Sequence, residues 1–253
     1  MKDKVVKATV CINKLEKIDQ FRRLLADYRP SQANIDRLDD VDAVFLVGPS
    51  ASGRNTLINI LVQTGRYRFV VSDTTRHPRE NNGVLETNGV EYWFRSEDEF
   101  LDGLSKGGYL EAAIIHNQQV SGISFAELFG DADDKRRAID EIEVGGVDSI
   151  RKYTDGGLFI FLLPPSFEIW MQRLKDRGNL EQSEIRRRLE SALTEIQHAL
   201  QHDFYHFVIN NEIHEAANAV DELASGRLPD ATKQAYGKSH SLALIVQIEQ
   251  YLA

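Results

Sequence analysis

Short apolar runs alternate with segments of helical periodicity along most of the chain. The apolar runs, each about the length of a strand, are residues 43–47, 68–71, 138–144 and 158–163. Short runs of this kind, separated by helical segments, are predicted to be strands. Helical spacing is predicted for residues 55–64, 96–106, 146–154, 165–177 and 183–202. Strands that alternate with helices predict an α/β fold with a parallel central sheet.

Segments outside this alternation predict additions to the central fold. Residues 13–28 carry apolar side chains at helical spacing up to Pro30, which predicts an N-terminal helical extension within residues 1–41. Residues 77–94 are rich in asparagine and glycine with short alternating stretches, so we expect a small β-rich excursion there.

The C-terminal region, residues 227–253, is predicted to be a linker and a helix. The helix is expected over residues 241–253, where Leu242, Val246 and Ile248 belong to its apolar side. Such a helix either packs on its own domain or joins two copies of the chain. A homodimer through the terminal helices is therefore one of the two arrangements that the pattern allows.

Composition excludes several classes of protein. A net charge of −9 argues against a nucleic-acid binder, which needs a basic surface to neutralise phosphates. The single cysteine, Cys11, rules out an intramolecular disulfide and a cysteine-rich zinc site. No apolar run approaches the roughly 18 residues of a membrane span. We therefore expect a cytoplasmic protein that binds neither nucleic acid nor membrane.

Residues 48–53, here called the glycine loop, have the pattern of a phosphate cradle. Gly48 and Gly53 fit a G-x-x-x-x-G frame that follows a predicted strand and precedes a predicted helix. Glycine permits unusual dihedral angles, the loop's N–H groups converge on phosphate, and the helix N-terminus adds positive potential. A tight turn with two glycines is the alternative. The candidate phosphate-binding residues are Gly48, Ser50, Ser52, Gly53, Arg54, Asn55 and Thr56.

Arg54 stands where a phosphate-binding loop normally has lysine. Arginine keeps the charge but is a longer, planar group with several N–H donors. Asn55 replaces the hydroxyl residue that normally meets Mg²⁺, and its amide oxygen can coordinate a hard cation. Thr56 supplies a hydroxyl beside it. The loop therefore predicts nucleotide binding, with Asn55 as the candidate metal ligand.

A second candidate anion site lies in the stretch SDTTRHPR, residues 72–79. Its two arginines, Arg76 and Arg79, are three residues apart and flanked by hydroxyl side chains. Two guanidinium groups on one loop can grip a phosphate bidentately. Taken alone, the stretch would be a solvated charged turn, so the phosphate interpretation depends on the motifs that follow it.

The ordered set of motifs resembles the guanylate kinase family over roughly residues 42–223. The strings that carry the resemblance are GPSASGRNT, SDTTRHPR, NGVEYWF, EDEFLDGLSKGGYLEAA, IDEIEVGGVDSIRK, GLFIFLLPPS and RLKDRGNLEQSEIRRRL. The resemblance implies a P-loop kinase fold over residues 42–226, with a β-rich acceptor-binding insertion at about 72–125 and a helical lid at about 173–190. It also implies transfer of a phosphoryl group from ATP, with Mg²⁺, to GMP.

The resemblance also implies roles for individual residues. The candidate acceptor-binding residues are Ser72, Arg76, Arg79, Tyr92, Glu111 and Glu143. The candidate catalytic residues are Arg54, Arg173, Arg177 and Arg188. Glu111 and Glu143 would face the guanine edge, and we expect Glu141 on the same strand face as Glu143 because the two are two residues apart. The arginines fit phosphoryl transfer, which depends on positioning and electrostatic stabilisation.

Departures from the family pattern leave the function open. The family's Gly-Glu pair after the second acceptor arginine is missing, and Val120 stands at a tyrosine position, with Gly122 lacking a hydroxyl. An active GMP kinase, a noncatalytic guanylate-kinase-like binding module and a kinase for another small acceptor therefore remain as alternatives. His198, His202 and His206 are predicted to be helix-surface or core histidines rather than metal ligands.

Overall fold

The chain folds into two compact units. The structure, a computed structural model, describes residues 15–81, 83–115, 117–176 and 181–253. The smaller unit contains the described residues up to Asn34 together with residues 71–127. The larger unit contains residues 35–70 and the described part of residues 128–253.

Helices and strands alternate through most of both units. The helices are α1 Ile18–Ala26, α2 Gln32–Ile35, α3 Arg54–Gln63, α4 Glu97–Ser105, α5 Phe125–Phe129, α6 Val144–Arg151, α7 Phe167–Asp176, α8 Gln182–Gln201, α9 Ile213–Ala224 and α10 Ala231–Leu252. The strands are β1 Ala43–Val47, β2 Tyr67–Phe69, β3 Asp73–Thr74, β4 Glu80–Asn81, β5 Val84–Leu85, β6 Trp93–Phe94, β7 Tyr109–Ile115, β8 Gln119–Ser124, β9 Arg137–Glu141, β10 Leu158–Leu163 and β11 Tyr205–Ile209.

A five-stranded parallel sheet forms the centre of the larger unit, in the order β11-β10-β1-β9-β2. Strand β1 is buried along its whole length, and its Val44 lies opposite Leu158 on one side and Ile139 on the other. Helices α3 and α9 cover the sheet through Leu57 and Val220, among other residues of the same apolar cluster. The predicted α/β fold with a parallel central sheet is confirmed, although β11 and α9 were not predicted.

The smaller unit is built on a four-stranded sheet in the order β6-β3-β8-β7. The separate hairpin β4-β5 comes between β3 and β6 along the chain. Helices α1 and α4 pack on this unit's core, where the rings of Phe100 and Tyr109 stack with centroids 4.4 Å apart. Phe21 of α1 meets Phe100 edge-on. The predicted N-terminal helix therefore belongs to the core of the smaller unit and is not a free extension.

Helix α10 begins ten residues before the predicted helix, at Ala231 rather than Ser241. Asp230 caps it, because its carboxylate accepts hydrogen bonds from the backbone N–H groups of the first turn. Leu244 and Ile248 are buried, whereas Leu242 and Val246 are 57% and 51% exposed. The helix thus packs on its own unit with one side, and the homodimer stays a prediction.

None of the helices in the described ranges has the length and apolar character required to cross a membrane.

Candidate functional site

The glycine loop joins the carboxyl end of β1 to the first turn of α3. Gly48 and Gly53 have φ angles of +139° and +108°. A Cβ atom at Gly48 would lie 2.4 Å from the carbonyl oxygen of Leu162, and one at Gly53 would lie 2.3 Å from Nδ2 of Asn210. Both positions therefore require glycine for backbone conformation and for space. The loop leads into a helix N-terminus, which favours anions.

Three side chains hold the loop through its carbonyl groups. The indole Nε1–H of Trp170, in α7, donates to the carbonyl oxygen of Ser50 at 2.7 Å. Asn210, just after β11, donates through Nδ2 to the carbonyl oxygen of Ser52 at 2.7 Å, and Arg173 reaches the same oxygen at 3.5 Å. Since these contacts engage carbonyl oxygens, they do not use the loop's own N–H groups. Neither Trp170 nor Asn210 was predicted from the sequence.

Glu141 connects the two residues that make this loop atypical. Its Oε2 lies 3.5 Å from Nε of Arg54, and its Oε1 accepts a hydrogen bond from Nδ2 of Asn55 at 3.2 Å. The Arg54 guanidinium also lies 3.5 Å from the carbonyl oxygen of Ile142. A detectable signal was present, because Glu141 ends the strand beside β1, and ligands of open α/β sheets bind at the carboxyl ends of strands.

The prediction that Glu141 and Glu143 share a strand face is wrong. Strand β9 ends at Glu141, and Glu143 occupies the N-cap position of α6. The backbone turns into the helix here, because the carbonyl oxygen of Glu143 accepts from the N–H groups of Gly146 and Val147. The period-two alternation of a strand therefore stops before Glu143.

A further carboxylate, Glu195 of α8, belongs to the same electrostatic environment. Burial raises its pKa to about 7, while the hydrogen bond from Ser191 and the charge of Arg54 act against that rise. The negative charge of Glu143 adds to it. Arg54 is therefore close to more than one carboxylate, and Glu195 binds a proton more readily than an exposed glutamate does.

Two of the predicted catalytic arginines contact the glycine loop. Arg173 of α7 reaches the Ser52 carbonyl, as described above, and Arg188 of α8 donates through Nη1 to Oγ of Ser50 at 3.1 Å. Glu184, one turn earlier, accepts from Nε of Arg188 at 2.8 Å and fixes the guanidinium. Arg177 lies outside the described residues.

The donor set beside the loop fits a hard cation. Oε2 of Glu141 is buried and, among the described residues, receives no hydrogen bond, although it is paired with Arg54. Carboxylate, amide and hydroxyl oxygens are ligands that Mg²⁺ accepts, and Asn55 and the exposed Thr56 supply the other two kinds. Glu141 is thus a better candidate metal ligand than the sequence indicated.

In the smaller unit, Arg76 is buried and already held by a carboxylate. Its two terminal nitrogens form a bidentate pair with Glu86, and one of them also donates to the carbonyl oxygen of His77 at 3.0 Å. The guanidinium lies 4.6 Å from the centroid of the Tyr92 ring and 5.4 Å from that of Phe94. Three of its five N–H donors are used in the Glu86 and His77 contacts.

Glu86 is the residue that sequence analysis missed in this unit. Hydrogen bonds from Arg76 lower the pKa of its carboxyl group to about 2, despite the opposing effect of burial. The backbone N–H of Arg79 donates to Oε2 of Glu86 at 2.8 Å, so one carboxylate holds both acceptor-loop arginines. Glu86 was not recognised in the sequence because it lies seven residues after Arg79, whereas the family pattern has a Gly-Glu pair soon after this arginine.

Strand β8 explains the departure at Val120. The Val120 side chain is fully buried in the apolar core of the smaller unit. The neighbouring polar residues have a different environment, because Oγ of Ser121 lies 2.9 Å from the Thr74 hydroxyl and accepts from Gln119. A polar contact at this edge would therefore come from Ser121, while Val120 contributes to packing.

The remaining acceptor candidates lie in the same unit. Ser72 is half-buried just before β3, and its carbonyl oxygen accepts from the N–H of Trp93 at 2.9 Å. Glu111 lies in β7, opposite Ile123 of β8. Strand pairing thus places Ser72 and Glu111 in one sheet framework with Thr74 and Ser121.

Comparison with known proteins identifies the family of this fold. A family model described as guanylate kinase matches residues 41–226. The guanylate kinase of Corynebacterium diphtheriae is 34% identical over 186 residues, which cover 73% of this chain and 94% of that protein. The chain belongs to the guanylate kinase family. The guanylate kinase of Clostridium tetani is 30% identical over 182 residues, or 72% of this chain and 84% of that protein.

A solved structure supports the same assignment. The crystal structure of guanylate kinase from Anaplasma phagocytophilum superposes with a TM-score of 0.52 at 26% identity, covering 75% of this chain and 88% of that one. The matched range of this guanylate kinase family member includes the glycine loop, the Arg76–Glu86 pair and Arg188. Helices α1 and α10 lie outside that range.

Proposed function

We propose that this chain phosphorylates GMP or dGMP to the diphosphate, with ATP and Mg²⁺ as the donor. It is a nucleoside monophosphate kinase of the guanylate kinase family. The observation that supports the proposal is the contact between Arg188 of α8 and Ser50, which brings a helix arginine to the glycine loop.

The glycine loop and its neighbours would bind the donor. The residues assigned to the ATP phosphates are Gly48, Ser50, Ser52, Gly53, Arg54, Asn55 and Thr56. Glu141 and Asn55 would hold Mg²⁺, which supplies neutralisation of phosphate charge when it is bound. Backbone N–H groups at a helix N-terminus suit the phosphate chain, and this supports the assignment of ATP.

The smaller unit would bind the acceptor. We assign Arg76, Arg79, Ser72 and Tyr92 to the GMP phosphate, because Arg76 has N–H donors left after its contacts with Glu86 and His77. Glu111 is assigned to the guanine edge, whose N–H groups can donate to a carboxylate. Glu143, which belongs to the larger unit, keeps the same assignment from the family resemblance alone.

The reaction itself requires little covalent participation by the protein. An oxygen of the GMP phosphate attacks the γ-phosphorus of ATP, the bond from that phosphorus to the β–γ bridging oxygen breaks, and ADP leaves. Charge spreads over the transferring oxygens, so the arginines contribute by electrostatic stabilisation and positioning. The residues assigned to this role are Arg54, Arg173, Arg177 and Arg188.

The direct test is ADP formation from ATP and Mg²⁺ with GMP, dGMP, AMP and UMP offered in parallel. We expect GMP and dGMP to stimulate ADP release well above the hydrolysis background. Binding of GMP in calorimetry without stimulated ADP release would show the binding module instead. Stimulation by a different acceptor would show a changed substrate. The cytoplasmic location stays a prediction.

A further inference from the structure

Two histidines at the C-terminal end of α8 and one aspartate of α6 come together. His198 lies in the last turn of α8, His202 is the residue that follows the helix, and Asp148 lies in α6. One ligand atom from each of the three side chains lies within 4.8 Å of the other two. Imidazole and carboxylate groups at such spacing form the ligand set of a transition-metal site.

The sequence could not show this cluster. Histidines at i and i+4 share a helix face, yet a pair of this kind is common on solvated helices. The third side chain, Asp148, comes from fifty residues earlier, and only the tertiary fold brings its carboxylate to His198. The expectation of surface or core histidines rested on α8 alone.

Hydrogen bonds orient His198 as they do in metal sites. Its Nε2 lies 2.9 Å from Oδ1 of Asp148, and its Nδ1 lies 3.1 Å from the hydroxyl of Tyr205. A ligating histidine usually donates its other ring N–H to an oxygen, which fixes the tautomer and the ring orientation. The Tyr205 hydroxyl, on a side chain almost wholly buried, is placed to accept that bond.

His202 is held by ring packing. Its ring stacks on that of Phe204 with centroids 5.1 Å apart, and it lies 4.5 Å from the ring of His198. His198 is 15% exposed and Asp148 53% exposed at the side chain. The cluster is therefore fixed on its protein side and open to solvent on the other, which leaves room for water as a fourth ligand.

We propose that His198, His202 and Asp148 form a site for a divalent transition-metal ion of the zinc class, separate from the Mg²⁺ of the nucleotide site. Tetrahedral zinc with bonds of about 2 Å requires ligand atoms about 3.3 Å apart, so the present Asp148–His198 pair would open by only a few tenths of an ångström. The bound ion joins α6 to α8, the helix that carries Arg188.

Calorimetric titration of ZnCl₂ into the metal-free, untagged full chain tests the proposal. We expect one equivalent to bind and the Tm to rise by several degrees, because the folded site binds the ion and the unfolded chain does not. Replacement of Zn²⁺ by Co²⁺ should give the visible absorption of a four-coordinate site.

Matched variants identify the ligands. His202→Ala should weaken Zn²⁺ binding at least tenfold, and Asp148→Asn should weaken it while the Tm of the metal-free protein changes little. The control is His214→Ala, which removes an exposed histidine of α9 and should leave binding unchanged. Equal affinity of the wild type and His202→Ala, loss of affinity in His214→Ala, or no metal binding at all would overturn the proposal.

Discussion

Each of the two units contains an arginine paired with a glutamate, but the geometry of the pair is much tighter in the smaller unit. In the smaller unit, Arg76 and Glu86 form a bidentate pair whose side chains are 7% and 8% exposed, with aromatic rings beside the guanidinium. In the larger unit, Arg54 meets Glu141 at 3.5 Å, without a hydrogen bond from Nε, and lies at the same distance from a backbone carbonyl.

The difference indicates two ways to position charge. A buried bidentate pair fixes the orientation of Arg76 before any ligand binds, because parallel N–H···O bonds constrain the plane of the guanidinium. Arg54 is placed by longer-range attraction from several carboxylates, which constrains its position much less. We therefore expect variants of the Arg76 pair to disturb both stability and function, and variants of Arg54 to affect mainly turnover.

The largest effect on turnover is expected from Arg188, which contacts the glycine loop directly and does not depend on the loosely held Arg54. Arg188→Ala should lower kcat roughly a hundredfold, because one stabilising donor in phosphoryl transfer is lost. Steady-state ADP formation measures this change. The control is Arg186→Ala, which removes an exposed arginine of the same helix and should leave kcat within about twofold. Equal losses in the two variants would contradict a specific role for Arg188.

Glu86→Gln tests the buried, bidentate pair of Arg76 and Glu86. Leaving Arg76 buried without a carboxylate should destabilise the protein by about 3 kcal/mol and lower kcat/KM for GMP roughly thirtyfold. Thermal unfolding and acceptor titrations measure the two effects. Glu80→Gln, an exposed change in the same hairpin, should alter neither. A stable Glu86→Gln variant with normal GMP kinetics would show that the pair does not position Arg76.

Arg54→Lys tests the looser contact of Arg54 with Glu141. Lysine loses the contact with the Ile142 carbonyl and the planar geometry, so we expect kcat to fall about tenfold with a Tm close to that of the wild type. Arg66→Lys, at an exposed ion pair of the same unit, is the matched control and should not change kcat. A higher kcat would instead identify Arg54 as an attenuating replacement for lysine.

The smallest effect concerns the pH dependence of stability, which has opposite signs at Glu195 in the larger unit and at Glu86 in the smaller unit. Glu195, with its pKa raised from 4.5 to about 7, favours the folded state when protonated, so its contribution to stability is present below pH 4.5 and is lost as pH rises to 7. Glu86, with its pKa lowered to about 2, contributes stability above pH 4.5 that is lost as pH falls towards 2.

Glu195→Gln should remove the loss of stability that the wild type shows as pH rises from 4.5 to 7. Unfolding followed at several pH values in this window measures the difference from the wild type. The residues that interact with Glu195 include Ser191, Arg54, Glu143 and Tyr205, and they stay unchanged in the variant. Parallel curves for the two proteins would contradict the raised pKa.

Local pattern was sufficient for four of the five strands of the central sheet and for the glycine loop. Strands β1 and β10 are continuous apolar runs. Gly48 and Gly53 have the G-x-x-x-x-G spacing of a phosphate-binding loop, and both have positive φ angles that favour glycine. Strand β11 was missed because polar His206 interrupts a run of five residues. The early start of α10 was missed because its first turns are largely polar. They are held by the Asp230 cap and by the hydrogen bonds between Gln234 and the backbone of Phe207, which an apolar pattern does not show.

The sequence by itself determined the parallel sheet, the glycine loop and the family, because apolar periodicity and motif order are written in neighbouring residues. Tertiary structure alone decided which carboxylates accompany the arginines: Glu86 for Arg76, and Glu141 with Glu195 for Arg54. It also decided that Asp148 meets His198. These pairings join residues on different elements, and no local pattern encodes which side chains are brought together when helices and strands pack.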